Sequence, residues 1–186
     1  MNNLRMIVAI GQNNEIGYQN DLIWKIKEDL QYFKEVTMGQ NNTGSYLVVG
    51  ENTYHSMPPV LPGRKYVVLT RSPEKLNIKD IIVSTSIPQA LELVKNNPHI
   101  TFNISGGHQI YKQFMPYVDK MLITEIEDTF KQADTFYPDF DKSKWNRIVD
   151  ETHTTNNYLK ATPHNGVKPQ TDEITYHYTT YTRKRI

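Results

Sequence analysis

The sequence predicts an α/β fold in one domain over residues 1–186. A central, mostly parallel twisted sheet would carry an antiparallel C-terminal edge hairpin and about four flanking helices. Three observations predict it. Short apolar runs rich in β-branched residues recur, as in strands buried on both faces. Helical patterns lie between several of them, which is how parallel strands are joined. The last third turns to alternating Tyr and Thr, the pattern of long antiparallel strands.

In chain order the strand candidates are 6–10, 46–49, 66–69, 81–83, 100–104 and 121–126. The helical pattern over 28–36 puts Leu30, Phe33 and Lys34 along one side. A second, over 88–94, carries Ala90, Leu91 and Val94 behind Ser86, a candidate N-cap. A third, over 109–114, carries Ile110, Tyr111 and Phe114. The terminal strands are 147–154 and 173–182, joined by a long loop over 156–171 that holds Asn, Pro and Gly.

Composition narrows the function. The chain is 38% hydrophobic and 22% charged, too apolar for disorder and long enough for one core. Its 21 basic and 20 acidic residues leave a net charge of +1, without the concentrated positive field that nucleic acid requires. The tail Arg183-Lys184-Arg185 reads as a solvated terminus. The lack of cysteine excludes disulfides, zinc thiolates and a cysteine nucleophile. No run approaches the ~18 apolar residues of a membrane span, and the run 6–10 is too short for a signal. A cytoplasmic location with no membrane partner is expected. Asn41-Asn42-Thr43 and Asn103-Ile104-Ser105 are then chance glycosylation matches. Histidines 55, 99, 108, 153, 164 and 177 lack ligand spacing, so no metal site is predicted.

Asp29 follows Trp24 by five residues, adjoins Leu30 and precedes Phe33 by four, so one helix face can carry acid and apolar groups together. Such an acid is partly desolvated, its pKa pushed up, and it can accept two hydrogen bonds from an amidine-like ring edge. A first-turn acid favoured by the helix dipole is the plainer alternative, and on spacing alone Glu28 serves equally well. Ser105-Gly106-Gly107 stands between a strand and a helix, where backbone can approach a ligand. A tight turn explains it as well. Arg64 in Leu61-Pro62-Gly63-Arg64 is a candidate carboxylate clamp. The loops Gly50-Glu51-Asn52-Thr53 and Leu69-Thr70-Arg71-Ser72 each follow a strand, where α/β sheets bind ligands.

The order of these motifs resembles the dihydrofolate reductase family. It starts at Ile7-Val8-Ala9, Ile16-Gly17 and Leu22-Ile23-Trp24, and continues through Glu28-Asp29-Leu30-Gln31-Tyr32-Phe33-Lys34 and Val48-Val49-Gly50 with Thr53. Leu61-Pro62-Gly63-Arg64-Lys65, Leu69-Thr70-Arg71, Ile104-Ser105-Gly106-Gly107 with Ile110-Tyr111, and Ile123-Thr124 follow. Ala133-Asp134-Thr135 with Tyr137-Pro138 completes a match over about residues 6–140.

The resemblance implies NADPH-dependent reduction of dihydrofolate to tetrahydrofolate by a monomer, serving one-carbon metabolism and open to antifolates. It selects Asp29 over Glu28 as the acid that holds the pterin and favours protonation at N5, with Thr124 supporting it and Trp24 beside it. Val8, Ala9, Leu30, Phe33 and Ser56 would lie along the substrate, with Ser105 and Tyr111 near it, and Arg64 would grip its glutamate tail. The cofactor would meet Ala9, Ile16, Gly17 and Gly50, then Asn52 and Thr53. Further along it would meet Leu69, Thr70, Arg71 and Ser72, and finally Gly106, Gly107, His108, Gln109 and Ile110. The resemblance further implies a cis peptide at Gly106-Gly107 and a mobile loop from Gly17 to Trp24.

Four positions depart from the family pattern. Glu51 replaces a usual Arg or Lys, Tyr54 a Trp, Ile23 a Pro, and Ser105 an aliphatic residue. The first weakens the case for NADPH over NADH, the last that for antifolate sensitivity. Two other readings remain: the related reductase of riboflavin synthesis, which lacks the helix acid and the Leu-Pro-Gly-Arg clamp, and a binding or structural protein that keeps the fold without turnover.

Overall fold

The computed structural model describes residues 1–39, 44–164 and 166–186. The first half of the chain runs β1 (Leu4–Ile10), β2 (Glu15–Tyr18), β3 (Asp21–Leu22), β4 (Trp24–Ile26), α1 (Lys27–Thr37), β5 (Ser45–Gly50), α2 (Glu51–Ser56), β6 (Lys65–Leu69) and β7 (Ile81–Ser84). Then come α3 (Ile87–Asn96), β8 (Thr101–Ile104), α4 (His108–Phe114), β9 (Lys120–Ile126), β10 (Thr135–Phe136), β11 (Trp145–Thr155), β12 (Tyr158–Ala161), β13 (Val167–Gln170) and β14 (Ile174–Arg183). The class is α/β, with a mixed main sheet of eight strands and four α-helices among the described residues.

These residues form two compact units, Met1–Ile7 with Glu35–Asp119 and Val8–Lys34 with Lys120–Ile186. In the first, the parallel strands run in the order β1-β8-β5-β6-β7. Their continuous apolar runs are buried on both faces: Leu47, Val48 and Val49 in β5, Val67 and Val68 in β6, Phe102 and Ile104 in β8. Helix α3 starts as predicted at Ser86, whose hydroxyl accepts from the Gln89 amide. Asn103 of the second glycosylation match is wholly buried in β8, while Asn41-Asn42-Thr43 lies outside the described residues.

The second unit holds the antiparallel strands β11-β14-β9. Tyr176, Tyr178 and Tyr181 of β14 are buried, whereas β11 is almost wholly exposed, as an edge strand is. Two smaller sheets complete it, β10-β2-β3 and β13-β12-β4.

Three expectations need correction. The segment 156–171 is not one long loop: it folds back as the hairpin β12–β13, and β12 pairs with β4. Pro169 is tolerated because β13 is an edge strand, where a missing N–H costs no ladder bond. The segment from Gly17 to Trp24 is likewise largely strand. It turns between β2 and β3 at Gln19 and Asn20, both at positive φ (52° and 62°), the geometry that suits a tight hairpin. Glu51-Asn52-Thr53 is the first turn of α2 rather than a loop.

Candidate active site

The residues selected from the sequence gather into two groups, one in each unit.

In the second unit α1 begins immediately after β4, which sets Asp29 in the helix's first turn. Asp29 retains some accessible surface, but its carboxyl lies deep in the protein. Thr124 Oγ1, buried on β9, donates to Asp29 Oδ1 at 2.8 Å. Burial pushes the Asp29 carboxyl up to about 6, against the opposing effect of the Thr124 hydrogen bond. Such a group exchanges a proton near neutral pH at little free-energy cost. Tyr178, paired with Thr124 across β14 and β9, stacks on Tyr32 with centroids 3.9 Å apart. Its phenol is pushed up by burial and by the negative charge of Asp29. Glu28, the rival acid, is exposed.

Val8 is buried in β1, and Ala9 packs with Tyr32 against the core that includes Trp24 and Tyr178. Phe33 is half-buried and Leu30 is 44% exposed, so the apolar side of α1 is only partly covered by this chain's own atoms. Ile16 is half-buried and Gly17 buried, in the hairpin that β10 flanks. Gln19 N donates to Asp134 Oδ2 at 2.9 Å and Asp134 N to Gly17 O at 3.1 Å.

No sequence pattern pointed to a second carboxylate system in this unit. Trp24 Nε1 donates to Asp128 Oδ2 at 2.9 Å, and Lys160 Nζ from β12 reaches the same oxygen at 2.6 Å. Burial would raise the Asp128 carboxyl. The bonds from Lys160, Trp24 and the Thr129 amide outweigh it and hold the group below the usual carboxylate range. Glu15, 1% exposed, accepts at 2.6 Å from both Asn13 N and Phe130 N, and so ties the turn after β1 to the turn after β9. An isolated acid carries no pattern, and Lys160 lies where a loop was expected. Pro163 and Gly166, turn-forming residues just after Ala161, were the available signal.

In the first unit the selected positions are joined mainly through backbone. Of the neighbouring strands β5 and β8, β5 runs straight into α2, and β8 reaches α4 through Ser105-Gly106-Gly107. Gly50 N donates to Gly106 O at 2.9 Å, Ser105 N to Val48 O at 2.9 Å, and Tyr111 N to Gly107 O at 3.0 Å. The Gly106-Gly107 peptide is cis, with Gly106 at φ +115°. A Cβ on Gly107 would lie 3.3 Å from Thr53 Oγ1, and one on Gly50 3.2 Å from Ile110 Cγ1. The absent side chains thus leave main chain next to Thr53 and open a cradle between the two helix starts. Tyr111 is buried, its hydroxyl donating to Ile7 O at 2.8 Å. Ser105 Oγ turns back to Asn103 O. His108 is half-buried, and Gln109 and Asn52 are exposed.

After β6, Thr70 Oγ1 donates to Glu51 Oε2 and accepts from Ser72 N, which gathers these three residues. Leu69 is half-buried and Arg71 exposed. Arg64 uses Nε on Pro62 O and Nη1 on Thr37 Oγ1, so the guanidinium is aimed before any ligand arrives. Burial draws its pKa down. Ser56, exposed at the end of α2, donates to Thr53 O. Among the described residues no three His, Cys, Asp or Glu side chains group to hold a metal, and no helix is long and apolar enough to cross a membrane.

Comparison with known proteins shows the family. The family model described as "Dihydrofolate reductase" matches residues 3–167. The chain is 31% identical over 182 residues to a dihydrofolate reductase of Staphylococcus haemolyticus, covering 98% of this chain and 96% of that one. It is 33% identical over 151 residues to that of Bacillus subtilis, covering 81% and 84%. Among solved structures it resembles the Enterococcus faecalis dihydrofolate reductase complexed with NADP(H) and RAB-propyl. The TM-score is 0.74 at 27% identity, over 98% of this chain and 96% of that one.

Proposed function

Because the chain belongs to the dihydrofolate reductase family, we propose that it reduces 7,8-dihydrofolate to 5,6,7,8-tetrahydrofolate with NADPH, as a single-domain monomer in the cytoplasm serving one-carbon metabolism. The observation that carries the reading is Asp29: a carboxyl raised to about 6 by burial, bonded to Thr124, on a helix whose apolar neighbours Leu30 and Phe33 stay partly uncovered.

The first-unit cradle fits a dinucleotide. Main chain at Gly106 and Gly107, beside the Thr53 hydroxyl, offers the close approach that a diphosphate requires. Gly50, Asn52, His108, Gln109 and Ile110 complete that contact, and Ala9, Ile16 and Gly17 serve the nicotinamide end. Leu69, Thr70, Arg71 and Ser72 face the adenosine, where Arg71 is the cation available to a 2′-phosphate because Glu51 is bonded to Thr70. When bound, NADPH supplies the hydride that passes from nicotinamide C4 to pterin C6.

The chain's own residues do the rest. Asp29 accepts from the pterin 2-amino group and N3, and its charge draws one proton into the site, toward N5. Thr124 fixes the carboxyl's orientation. Val8, Leu30 and Phe33 shape an apolar wall for the substrate, Ser56, Ser105 and Tyr111 contact it further along, and Arg64 clamps the α-carboxylate of the glutamate tail. Trp24 shields the reacting edge from water.

The test is absorbance at 340 nm with dihydrofolate and NADPH. A steady fall with tetrahydrofolate as product is expected, and a folded protein that leaves the absorbance constant contradicts the proposal.

A further inference from the structure

Strand β12 brings Lys160 into register opposite Trp24, with Leu159 opposite Lys25 and Tyr158 opposite Ile26. Cross-strand partners share a face, so the ammonium and the indole are neighbours by construction. Lys160 Nζ lies 5.9 Å from the indole centroid, and besides Asp128 Oδ2 it donates to Thr129 O at 3.1 Å. Asp128 receives Lys160 and the indole N–H on one oxygen and Thr129 N on the other, so its carboxylate is fixed from three sides. Elsewhere around the ring, a Cβ on Gly11 would fall 2.4 Å from Trp24 Cη2, which leaves the indole no room to slide. The hairpin is also fastened by Ala161 N to Ile23 O at 2.7 Å and by the Tyr18 hydroxyl to Pro163 O at 2.8 Å.

We propose that Lys160 is a positioning residue. Presented by the β12–β13 hairpin, it holds Asp128 in place to lock the Trp24 indole, and with it the strand β4 from which α1 and Asp29 start. A hairpin that merely covered core would have no use for a cation here. Its apolar residues Tyr158 and Ala161 already do the covering. What Lys160 adds is a counter-charge that keeps a half-buried carboxylate ionised and aimed at one N–H. Displacing a residue beside a reacting centre by a fraction of an ångström lowers the population of productive geometry and so acts on kcat. The kinetic half of this inference rests on the proposed reductase activity, while the spectroscopic half does not.

The chain has two tryptophans, so Trp145→Phe leaves Trp24 as the single emitter. Trp145 packs under Arg183, at 4.3 Å, away from this cluster. In that background Lys160→Met keeps the apolar stem and removes the charge. The expected result is unchanged far-UV circular dichroism, a shifted and broadened Trp24 emission, and kcat for dihydrofolate lowered about tenfold with KM altered less than about twofold. Lys160→Arg, which can still reach Asp128, restores both emission and kcat. Unchanged emission in Lys160→Met overturns the proposal. So does an equal loss in Lys160→Met and Lys160→Arg that follows melting temperature, because that is the behaviour of a purely structural residue. If the parent protein shows no turnover, the reductase reading fails, and the emission of the two variants alone decides the positioning claim.

Discussion

Asp29 and the Gly106-Gly107 segment, one in each unit, would serve the proposed reaction by opposite means. Around Asp29 the chemistry is in side chains: a carboxyl desolvated to about 6, the Thr124 hydroxyl that steers it, and a separate carboxylate, Asp128, kept ionised by Lys160. Around Gly106 and Gly107 it is in the main chain, and the side chains that matter are the ones missing. A site of the first kind fails when one polar atom is exchanged for another. A site of the second kind fails when an atom is added.

The largest effect belongs to the side-chain site. Asp29→Asn should fold and lose about 10²–10⁴-fold in turnover at pH 7, since an amide cannot draw a proton toward N5. The same variant should be more stable. Burial lifts the carboxyl from its ordinary 3.8 to about 6, so the folded state binds this proton more tightly than the unfolded chain. The resulting stabilisation is fully present below pH 3.8 and is lost as pH rises through about 6. Asp29→Asn should therefore raise stability at pH 8 by about 1–3 kcal/mol and change nothing at pH 3.5. Denaturant melts at the two pH values read this directly, and equal stability at pH 8 would mean the acid is not desolvated.

The cradle should break by addition. Gly106 stands at φ +115°, a conformation that side chains rarely adopt, so Gly106→Ala should cost about 1–3 kcal/mol of stability. It should also weaken NADPH far more than dihydrofolate. Isothermal titration with each ligand separates the two, and equal weakening would blur the division between the units. Arg64→Leu should raise KM for dihydrofolate about tenfold or more with kcat nearly unchanged, because the clamp is remote from the reacting carbon. A pterin lacking the glutamate tail should not sense the change. Smallest is Arg71→Ala, which should reduce the preference for NADPH over NADH by about tenfold while NADH kinetics hold. Intact NADPH affinity in that variant would remove Arg71 from the adenosine end.

The sequence revealed the fold wherever burial wrote a continuous pattern. The parallel strands of the first unit and the pair β11–β14 are such runs, and α3 announced itself by its Ser86 cap. Hidden were elements too short to show a period, such as β3 and β10, each of two residues, and α2 of six. The β12–β13 hairpin was masked by its Pro and Gly content, though Pro169 costs nothing on an edge. The site follows the same rule. Helix spacing alone could not separate Asp29 from Glu28, and what separates them is Thr124, 95 residues away, which only folding brings near. Lys160 was illegible because its role depends on a strand register with Trp24.

In the proposed reaction one proton, held in a site built on Asp29, limits the rate. The most direct measurement is the pH dependence of hydride transfer with dihydrofolate and NADPH, from pH 5 to 9, in the wild type and in Asp29→Asn. The wild-type rate should fall as pH rises through and above about 6, where the single proton shared between the Asp29 carboxyl and N5 leaves the site. Asp29→Asn should lack that inflection and regain activity only at low pH, where dihydrofolate arrives already protonated. A flat wild-type profile, or the same inflection surviving in Asp29→Asn, would remove Asp29 from the proton's path.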